Sequence, residues 1–163
     1  MIKFVTGDIF ESKMDYITIP VNCGGVAGAG LAEQFKKRYP DICKHYVMLC
    51  KEKILTPGTC FELWGFERKI LLFPTKDFWY NDSKLEYIEK GLDDIPRILE
   101  MHPNQSYAFP ALGCGFGLLK CDIVKPLMIE KLKDLDCEIE IYEAQPERES
   151  NDRKYLSKIA TEG

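Results

Sequence analysis

Histidine is scarce in this chain of 163 residues, which contains only two, and its seven cysteines include no CxxC pair. Transition-metal sites are usually built from clusters of these two residue types, so the sequence predicts no metal site. The cysteines are odd in number and scattered evenly, which argues against a framework of disulfide bonds. We therefore expect a reducing, cytoplasmic location.

Long apolar runs are also absent, so no segment is expected to span a membrane. The N-terminal residues lack the apolar centre of a signal peptide and predict a first β-strand instead. Basic residues are not in excess, since the formal net charge is −4, and this disfavours general binding to a phosphate backbone. That charge is still compatible with an enzyme that contacts a few nucleotides.

Neither of the common nucleotide fingerprints, GxGxxG and GxxxxGKS/T, occurs, which disfavours a Rossmann dehydrogenase and a P-loop NTPase. Two other glycine-rich stretches are present, GGVAGAG at residues 24–30 and GCGFG at residues 113–117. Both follow apolar strand-like runs, and the first leads directly into an amphipathic helix.

Short strand-like runs alternate with amphipathic helices, as in one three-layer α/β/α domain with a mixed, mostly parallel central sheet. Predicted strands cover residues 2–6, 16–21, 59–64, 68–75, 106–110 and 138–142. Predicted helices cover residues 30–39 and 42–53, and two more begin at a capping box at residues 83–86 and at an Asp122 cap. The domain is expected to cover residues 1–143, followed by a polar tail or short helix over residues 144–163.

The third and fourth helices are each expected to bury one apolar stripe. Pro96 is expected to kink the third helix or to end it early. The stripe residues are Leu85, Ile88, Leu92, Ile95 and Leu99 in the third helix, and Ile123, Leu127 and Leu132 in the fourth.

Unusual residues follow four of the predicted strands, at the ends where open α/β sheets bind their ligands. Asn22 precedes the first glycine-rich loop, and Thr75 and Lys76 end the fourth strand. The second glycine-rich loop, residues 113–117, follows the fifth strand, and Tyr142 ends the last one. The two loops offer backbone N–H groups, and the first also leads into a helix N-terminus, which suits a diphosphate. The alternative is that both loops are only tight turns.

Lys76 is the titratable residue best suited to chemistry. It follows the apolar residues 70–73, so partial burial is expected to lower its pKa and to make it a nucleophile or a base. A salt-bridged lysine at a strand end is the alternative. A thiol nucleophile at Cys114 is disfavoured, because no histidine lies near it in the sequence.

Four further residues are candidates for ligand contacts, and three of them also have a structural interpretation. Asp8 could accept a hydrogen bond from a base amine or cap a loop. Tyr142 and Phe116 could stack on a purine or a ribose, or could belong to the core. Trp79 lies just past the candidate lysine, where it could line a pocket or stack on a nucleic-acid base.

Six stretches of the chain, in order, resemble the macrodomain family, and most of all the macrodomains of DarG-type DNA ADP-ribosylglycohydrolases. They are TGDIF, VNCGGVAGAGLAEQFKKRYP, FPTKDFW, KLEYIEKGLDDI, FPALGCGFGLLKCDIVKPLM and EIYE. The resemblance covers residues 1–143 and implies a macrodomain fold with an ADP-ribose pocket. In the lysine after the fourth strand, the chain is also similar to a human terminal ADP-ribose protein glycohydrolase.

The resemblance also implies a role for each candidate residue. Asp8 and the backbone of Ile9 would hold the adenine, with Tyr142 packed against it. Asn22 would position the distal ribose, and Lys76 would carry the chemistry at its anomeric carbon. The remaining ligand-binding residues, implied mainly for the diphosphate, are Gly24, Gly25, Val26, Gly28, Gly30, Thr75, Leu112, Gly113, Cys114, Gly115, Phe116 and Gly117.

The implied function is hydrolysis of ADP-ribose from a modified nucleotide base, including bases in single-stranded DNA, or from protein, by a monomer that needs no cofactor. Two alternatives are an ADP-ribose-1″-phosphate phosphatase and a non-catalytic binder of ADP-ribose or a cyclic relative. A binder would need the loops but not Lys76. Gly117 stands where the related human enzyme has an aspartate, so turnover would depend on Lys76, Asn22 and a bound water.

Overall fold

The computed structural model of the protein describes residues 1–112 and 121–143. The described strands are β1 (Ile2–Val5), β2 (Tyr16–Asn22), β3 (Phe61–Leu63), β4 (Lys69–Lys76), β5 (Tyr107–Pro110) and β6 (Ile139–Tyr142). The described helices are α1 (Gly30–Arg38), α2 (Pro40–Lys51), α3 (Leu85–Met101) and α4 (Cys121–Leu132), and a short 3-10 turn covers Ile9–Glu11. The second glycine-rich loop, residues 113–117, and the predicted tail, residues 144–163, lie outside the described residues.

The six described strands form one sheet in the order β1-β6-β5-β2-β4-β3. The pairs β1–β6, β6–β5, β5–β2 and β2–β4 are parallel, and β3 pairs antiparallel with β4 at one edge. This is the mixed, mostly parallel sheet that the sequence predicts. Five strands consequently end at the same side of the sheet, which we call the carboxyl edge.

Apolar side chains cover both faces of the sheet and form two separate clusters. Ile70 and Leu72 of β4 pack with the residues of α1 and α2, whereas Leu71 and Phe73 pack with those of α3 and α4. Successive residues of a strand face opposite sides, so a central strand covered by helices on both faces is apolar throughout. The three-layer α/β/α arrangement is thereby confirmed.

The start and the apolar stripe of α3 differ in part from the prediction. The N-cap residue is Lys84, without a side-chain cap bond, so the predicted capping box is wrong. Ser83 is buried instead, and its hydroxyl has no hydrogen-bond partner among the described residues. Of the predicted stripe, Leu85 is exposed and Leu99 is only partly buried, whereas Ile98, which was not predicted, is buried.

Pro96 does not end α3, which continues to Met101. Proline lacks the N–H that would bond to the preceding turn and normally destabilises a helix interior. Here the stripe of Ile88, Leu92, Ile95 and Ile98 remains buried against the sheet on both sides of the proline. Burial of these apolar side chains offsets the missing backbone bond.

The buried side of α4 matches the prediction only in part, since Leu132 is buried and Leu127 is only partly buried. Ile123 is exposed, whereas Val124, Met128 and Leu132 are buried, at intervals of four residues. Asp122 lies within the first turn and not at the cap, because the helix already begins at Cys121. The sequence repeats aliphatic residues on several sides of this helix, so periodicity alone could not select the buried side.

No helix in the described ranges is both long and apolar enough to cross a membrane. Within residues 1–112 and 121–143, no three histidine, cysteine or acidic side chains are grouped so that they could hold a metal ion.

Candidate functional site

Asn22 and Lys76 lie side by side at the carboxyl edge, as the final residues of β2 and β4. They are register partners in the sheet, and neighbouring strands lie about 4.8 Å apart. Val21 pairs with Pro74, so Thr75 is an extra residue in β4 and forms a bulge. A bulge redirects the side chains that follow it, and here it decides where the lysine is placed.

Asn22 organises the first glycine-rich loop with its carboxamide. Its Nδ2 donates to the carbonyl oxygen of Val26 at 2.8 Å, and its Oδ1 accepts from the backbone N–H groups of Gly24 at 3.0 Å and Val26 at 3.3 Å. The side chain is buried. The second Nδ2 hydrogen has no acceptor among the described residues.

Tyr46 of α2 is a part of the site that the sequence analysis missed. Its hydroxyl lies 2.8 Å from the carbonyl oxygen and 3.0 Å from the Oδ1 of Asn22. Burial raises the pKa of Tyr46, so the hydroxyl stays protonated and available as a donor. The available signal was weak, since Tyr46 lies on the apolar side of α2 with Ile42 and Leu49 and resembles a core residue.

Gly24 and Gly25 favour glycine for different reasons. A Cβ on Gly24 would lie 3.2 Å from the ring of Phe78, which would have to move slightly, and Gly25 has φ +80°, a conformation that other residues rarely adopt. The N–H groups of Gly24 and Val26 are already bonded to Asn22. These predicted ligand residues therefore shape the loop and do not offer free backbone donors.

The far end of the same loop remains open toward the edge. A Cβ on Gly28 would meet only the Cγ1 of Val26, at 3.8 Å. The N–H groups of Gly28 and Gly30 have no acceptor among the described residues, and Gly30 is the first residue of α1. Free N–H groups at a helix N-terminus attract anions. Residues 28–30 are therefore the part of the loop whose geometry suits the predicted anion site.

The Lys76 ammonium is half-buried and only loosely held. Its Nζ donates to the carbonyl oxygen of Trp79 at 3.2 Å. Desolvation lowers the pKa of Lys76, and the nearby negative charge of Asp82 opposes part of that shift. The described residues give Lys76 no salt bridge, so the structural alternative of a paired lysine is not what is observed.

The chain that follows Lys76 folds over the first glycine-rich loop. The N–H of Cys23 donates to the carbonyl oxygen of Asp77 at 2.8 Å, and the ring of Phe78 covers Gly24. We call Phe78, Trp79 and Tyr80 the aromatic segment. Trp79, which the sequence already marked as a candidate, lies beside the exposed rings of Phe78 and Tyr80.

Asp8 and Tyr142 lie together at the other end of the carboxyl edge. β1 pairs with β6 so that Val5 lies beside Tyr142, and the negative charge of Asp8 contributes, after burial and Glu140, to the raised pKa of Tyr142. Asp8 and Tyr142, two of the three predicted adenine-binding residues, are therefore close to each other. The third, Ile9, is buried in the 3-10 turn that starts directly after Asp8.

Both carboxylate oxygens of Asp8 already have partners within the protein. Oδ1 accepts from the N–H of Phe10 at 3.0 Å, so Asp8 caps the 3-10 turn as its structural interpretation predicts. Oδ2 accepts from Arg38 at 3.0 Å, a contact that the sequence did not reveal because the two residues are distant in the chain. Each oxygen retains a second lone pair for a ligand amine.

The two groups of candidate residues lie far apart along the carboxyl edge. Tyr142 and Lys76 end strands that are three steps apart in the sheet, or about 14 Å at the usual spacing. The glycine-rich loop after β2 lies between them. Leu112 is buried near the end of β5, and the other predicted residues of the second loop, Gly113–Gly117, lie outside the described residues.

Comparison with known proteins gives the family that the chain resembles in sequence. The Macro domain family matches residues 19–128. A DNA ADP-ribosyl transferase-DNA ADP-ribosyl glycohydrolase fusion protein of Thermosipho africanus is 36% identical over 161 residues, which cover 86% of this chain. The chain spans only about two fifths of the curated relatives that it matches, with 41% and 42% of their lengths covered.

Two solved structures are similar over most of the chain. The macrodomain of Mycobacterium tuberculosis DarG is 35% identical, with a TM-score of 0.85, and the match covers 89% of this chain and 99% of that one. Thermosipho africanus DarTG in complex with ADP-ribose is 36% identical, with a TM-score of 0.83, over 88% of this chain and 41% of that one. Sequence and fold together show that this chain belongs to the Macro domain family.

Proposed function

We propose that this protein binds ADP-ribose along the carboxyl edge and hydrolyses its bond to a nucleotide base, with protein-linked ADP-ribose as a second substrate. The observation that carries the proposal is the register pairing of Asn22 and Lys76 beside the open end of the glycine-rich loop. Similarity to DNA ADP-ribosyl glycohydrolases and to a DarTG complex with ADP-ribose supports it.

The elongated site suits the parts of ADP-ribose in order. The adenine would lie between Asp8 and Tyr142, and the diphosphate would accept from the N–H groups of Gly28 and Gly30. A helix N-terminus holds a diphosphate without lysine or arginine, which explains how an acidic protein binds an anion. The distal ribose would then lie near the free Nδ2 hydrogen of Asn22, beside Lys76.

The lowered pKa of Lys76 favours the neutral amine, which is the nucleophilic form. The amine would bond to the anomeric carbon as the bond from that carbon to the base breaks, and the base would leave with a proton from the amine. Water would then replace the lysine at the anomeric carbon, which releases ADP-ribose and restores the amine. Asn22 would hold a ribose hydroxyl in place during both steps.

Replacing the lysine separates catalysis from binding. Lys76→Ala is expected to abolish release of ADP-ribose from an ADP-ribosylated single-stranded oligonucleotide, because the nucleophile is gone. Affinity for ADP-ribose, measured by calorimetry, should change by less than about threefold, since the anion site is at residues 28–30. Lys90→Ala, on the exposed face of α3, is the matched control and should leave both measurements unchanged.

The same assays distinguish the alternatives. Hydrolysis that survives Lys76→Ala contradicts the lysine mechanism. Release of phosphate from ADP-ribose-1″-phosphate, with no action on ADP-ribosylated DNA or protein, would instead identify a phosphatase. Tight binding of ADP-ribose without any turnover would identify a non-catalytic binder.

A further inference from the structure

The aromatic segment exposes three consecutive rings to solvent next to Lys76. Phe78, Trp79 and Tyr80 are 48%, 58% and 65% exposed. Large apolar side chains that are exposed together usually mark a surface that contacts something else. The fold does not need them for its core, because neither apolar cluster includes any of the three residues.

The rings are ordered against one another and against the site. Phe78 covers Gly24 at one end and stacks on Tyr80, with ring centroids 5.5 Å apart and planes 6° apart. Trp79 meets Tyr80 edge to face at 5.7 Å. Phe78 therefore supports the arrangement, whereas Trp79 and Tyr80 present the more exposed ring surface.

The backbone of the segment is tied to the catalytic lysine. The carbonyl oxygen of Trp79 accepts from Lys76 Nζ at 3.2 Å, and the Asp77 carbonyl holds Cys23 of the loop that Asn22 organises. A group bonded to the ribose carbon that Lys76 attacks must lie within a few ångströms of that amine. The backbone of the aromatic segment thus lies beside the amine that the group leaving ADP-ribose would approach.

We propose that the aromatic segment is the binding surface for the acceptor, the group from which ADP-ribose is removed, and that it stacks on a nucleobase through Trp79 and Tyr80. This inference rests on the proposed function and adds the residues that select the acceptor. Stacking on aromatic side chains is the usual way in which proteins hold an unpaired base.

Charge around the segment favours recognition of the base and not of the phosphate backbone. Asp77 and Asp82 flank the three rings, and the charge of Asp82 acts on Lys76. Lys84, the next cation along the chain, lies over the ring of Tyr87 with its Nζ 5.3 Å from the ring centroid. A polyanion would gain little here, whereas an uncharged planar ring can stack without electrostatic cost.

Binding can be measured without turnover in a Lys76→Gln background, by calorimetry with two ligands: ADP-ribose and a single-stranded oligonucleotide ADP-ribosylated on one base. The oligonucleotide is expected to bind about tenfold more tightly than ADP-ribose. Trp79→Ala and Tyr80→Ala should each remove most of that difference and leave ADP-ribose affinity within about twofold. Trp64→Ala is the matched control. Trp64 is 60% exposed, but it follows β3, which runs antiparallel to β4, and so lies near the start of β4 and away from the carboxyl edge.

Equal affinities for the two ligands, or a preference that survives both alanine variants, would overturn the proposal. The proposal would also be overturned if the alanine variants lost as much affinity for free ADP-ribose as for the oligonucleotide. The rings would then belong to the ADP-ribose pocket. The affinity ratio should change by less than about threefold between 50 and 200 mM salt, whereas six to ten phosphate contacts would cost about a thousandfold or more. A steep salt dependence would mean that contacts to the phosphate backbone cause the preference for the oligonucleotide, and base stacking would be rejected.

Turnover distinguishes a failure of this inference from a failure of the proposed function. With Lys76 intact, Trp79→Ala and Tyr80→Ala should each lower kcat/KM on the oligonucleotide about tenfold. Trp79→Phe and Tyr80→Phe should retain most of the wild-type kcat/KM. For an ADP-ribosylated peptide, kcat/KM should change little in any of these variants. If the base preference holds but the wild-type protein hydrolyses nothing, the surface is supported and the enzymatic function fails. If hydrolysis is unaffected by the alanine variants, the function stands and the surface is rejected.

Discussion

At the scale of single residues, the buried hydroxyl of Tyr46 in α2 holds Asn22 in place. Tyr46→Phe removes the hydroxyl that reaches both oxygens of Asn22, so we expect a loss of about 1–2 kcal/mol in the free energy of unfolding. ADP-ribose affinity should fall several-fold, because the loop that Asn22 organises becomes less ordered. Chemical denaturation and calorimetry measure the two effects.

Tyr107 provides the matched control for that substitution. It is equally buried, but its hydroxyl has no hydrogen-bond partner among the described residues. Tyr107→Phe should therefore be neutral or stabilising, because it removes an unsatisfied polar group from the core. Similar losses in both variants would show that the Tyr46 bond has no special role.

The charge beside Lys76 predicts a direction for the pH dependence of hydrolysis. Activity should rise with pH as Lys76 loses its proton, because the neutral amine is the reactive form. Asp82 raises the pKa of Lys76 against the larger effect of burial, so Asp82→Asn should lower that pKa further and move the rising limb of kcat/KM to lower pH. Asp41→Asn, on exposed α2, should leave the profile in place. An unchanged limb in Asp82→Asn would mean that another group controls the profile.

The sequence predicted Asn22 and Lys76 as candidates because each ends an apolar run at a strand end, and the structure places them beside each other. It could not identify Tyr46 or Arg38, whose partners lie 24 and 30 residues away in the chain. Nor could it reveal that Asn22 already occupies the N–H groups of Gly24 and Val26. Such pairings depend on side-chain geometry, which one sequence does not encode locally.

At the scale of elements, the junction between the first glycine-rich loop and α1 carries the binding prediction. Gly28→Glu should abolish ADP-ribose binding in calorimetry, because a carboxylate would occupy the anion site at the start of the helix. The protein should still fold, since a Cβ at this position meets only Val26, at 3.8 Å, and a negative charge suits a helix N-terminus. Gln34→Glu adds the same charge further along α1 and should retain most of the affinity. Binding that survives Gly28→Glu would place the pocket elsewhere.

Elements were predictable where one apolar pattern dominated. β4 is a continuous apolar run and α3 carries a clear stripe, so the start of each was located to within one residue. That α3 continues past Pro96 was left open, because tertiary burial outweighs the local preference of proline there. The buried side of α4 was predicted only in part, because aliphatic residues lie on several sides of that helix. The exposed position of Ile123 depends on which side of α4 meets α3 and the sheet.

At the scale of the whole molecule, ligand binding and thermal stability are linked. ADP-ribose at one hundred times its dissociation constant adds about 2.7 kcal/mol of stability, which should raise the Tm of a chain of this size by roughly 5–10 °C. Lys76→Ala should show the same increase in a thermal-shift measurement, whereas Gly28→Glu should show none. An increase in Gly28→Glu, or its loss in Lys76→Ala, would contradict the separation of binding from catalysis.

The bulge at Thr75 separates the position of Lys76 from the alignment of the rest of β4 with β2. From Tyr16 with Lys69 to Val21 with Pro74, the alignment of β2 and β4 is set by apolar packing, and only the pair that follows is shifted. Insertion or loss of one residue at position 75 would thus leave the core alignment intact while it turned the amine to the other face of the sheet. A single-residue length change could switch the chemistry of such a domain off or on at little cost to folding, which is a route by which binders and hydrolases could diverge on one scaffold.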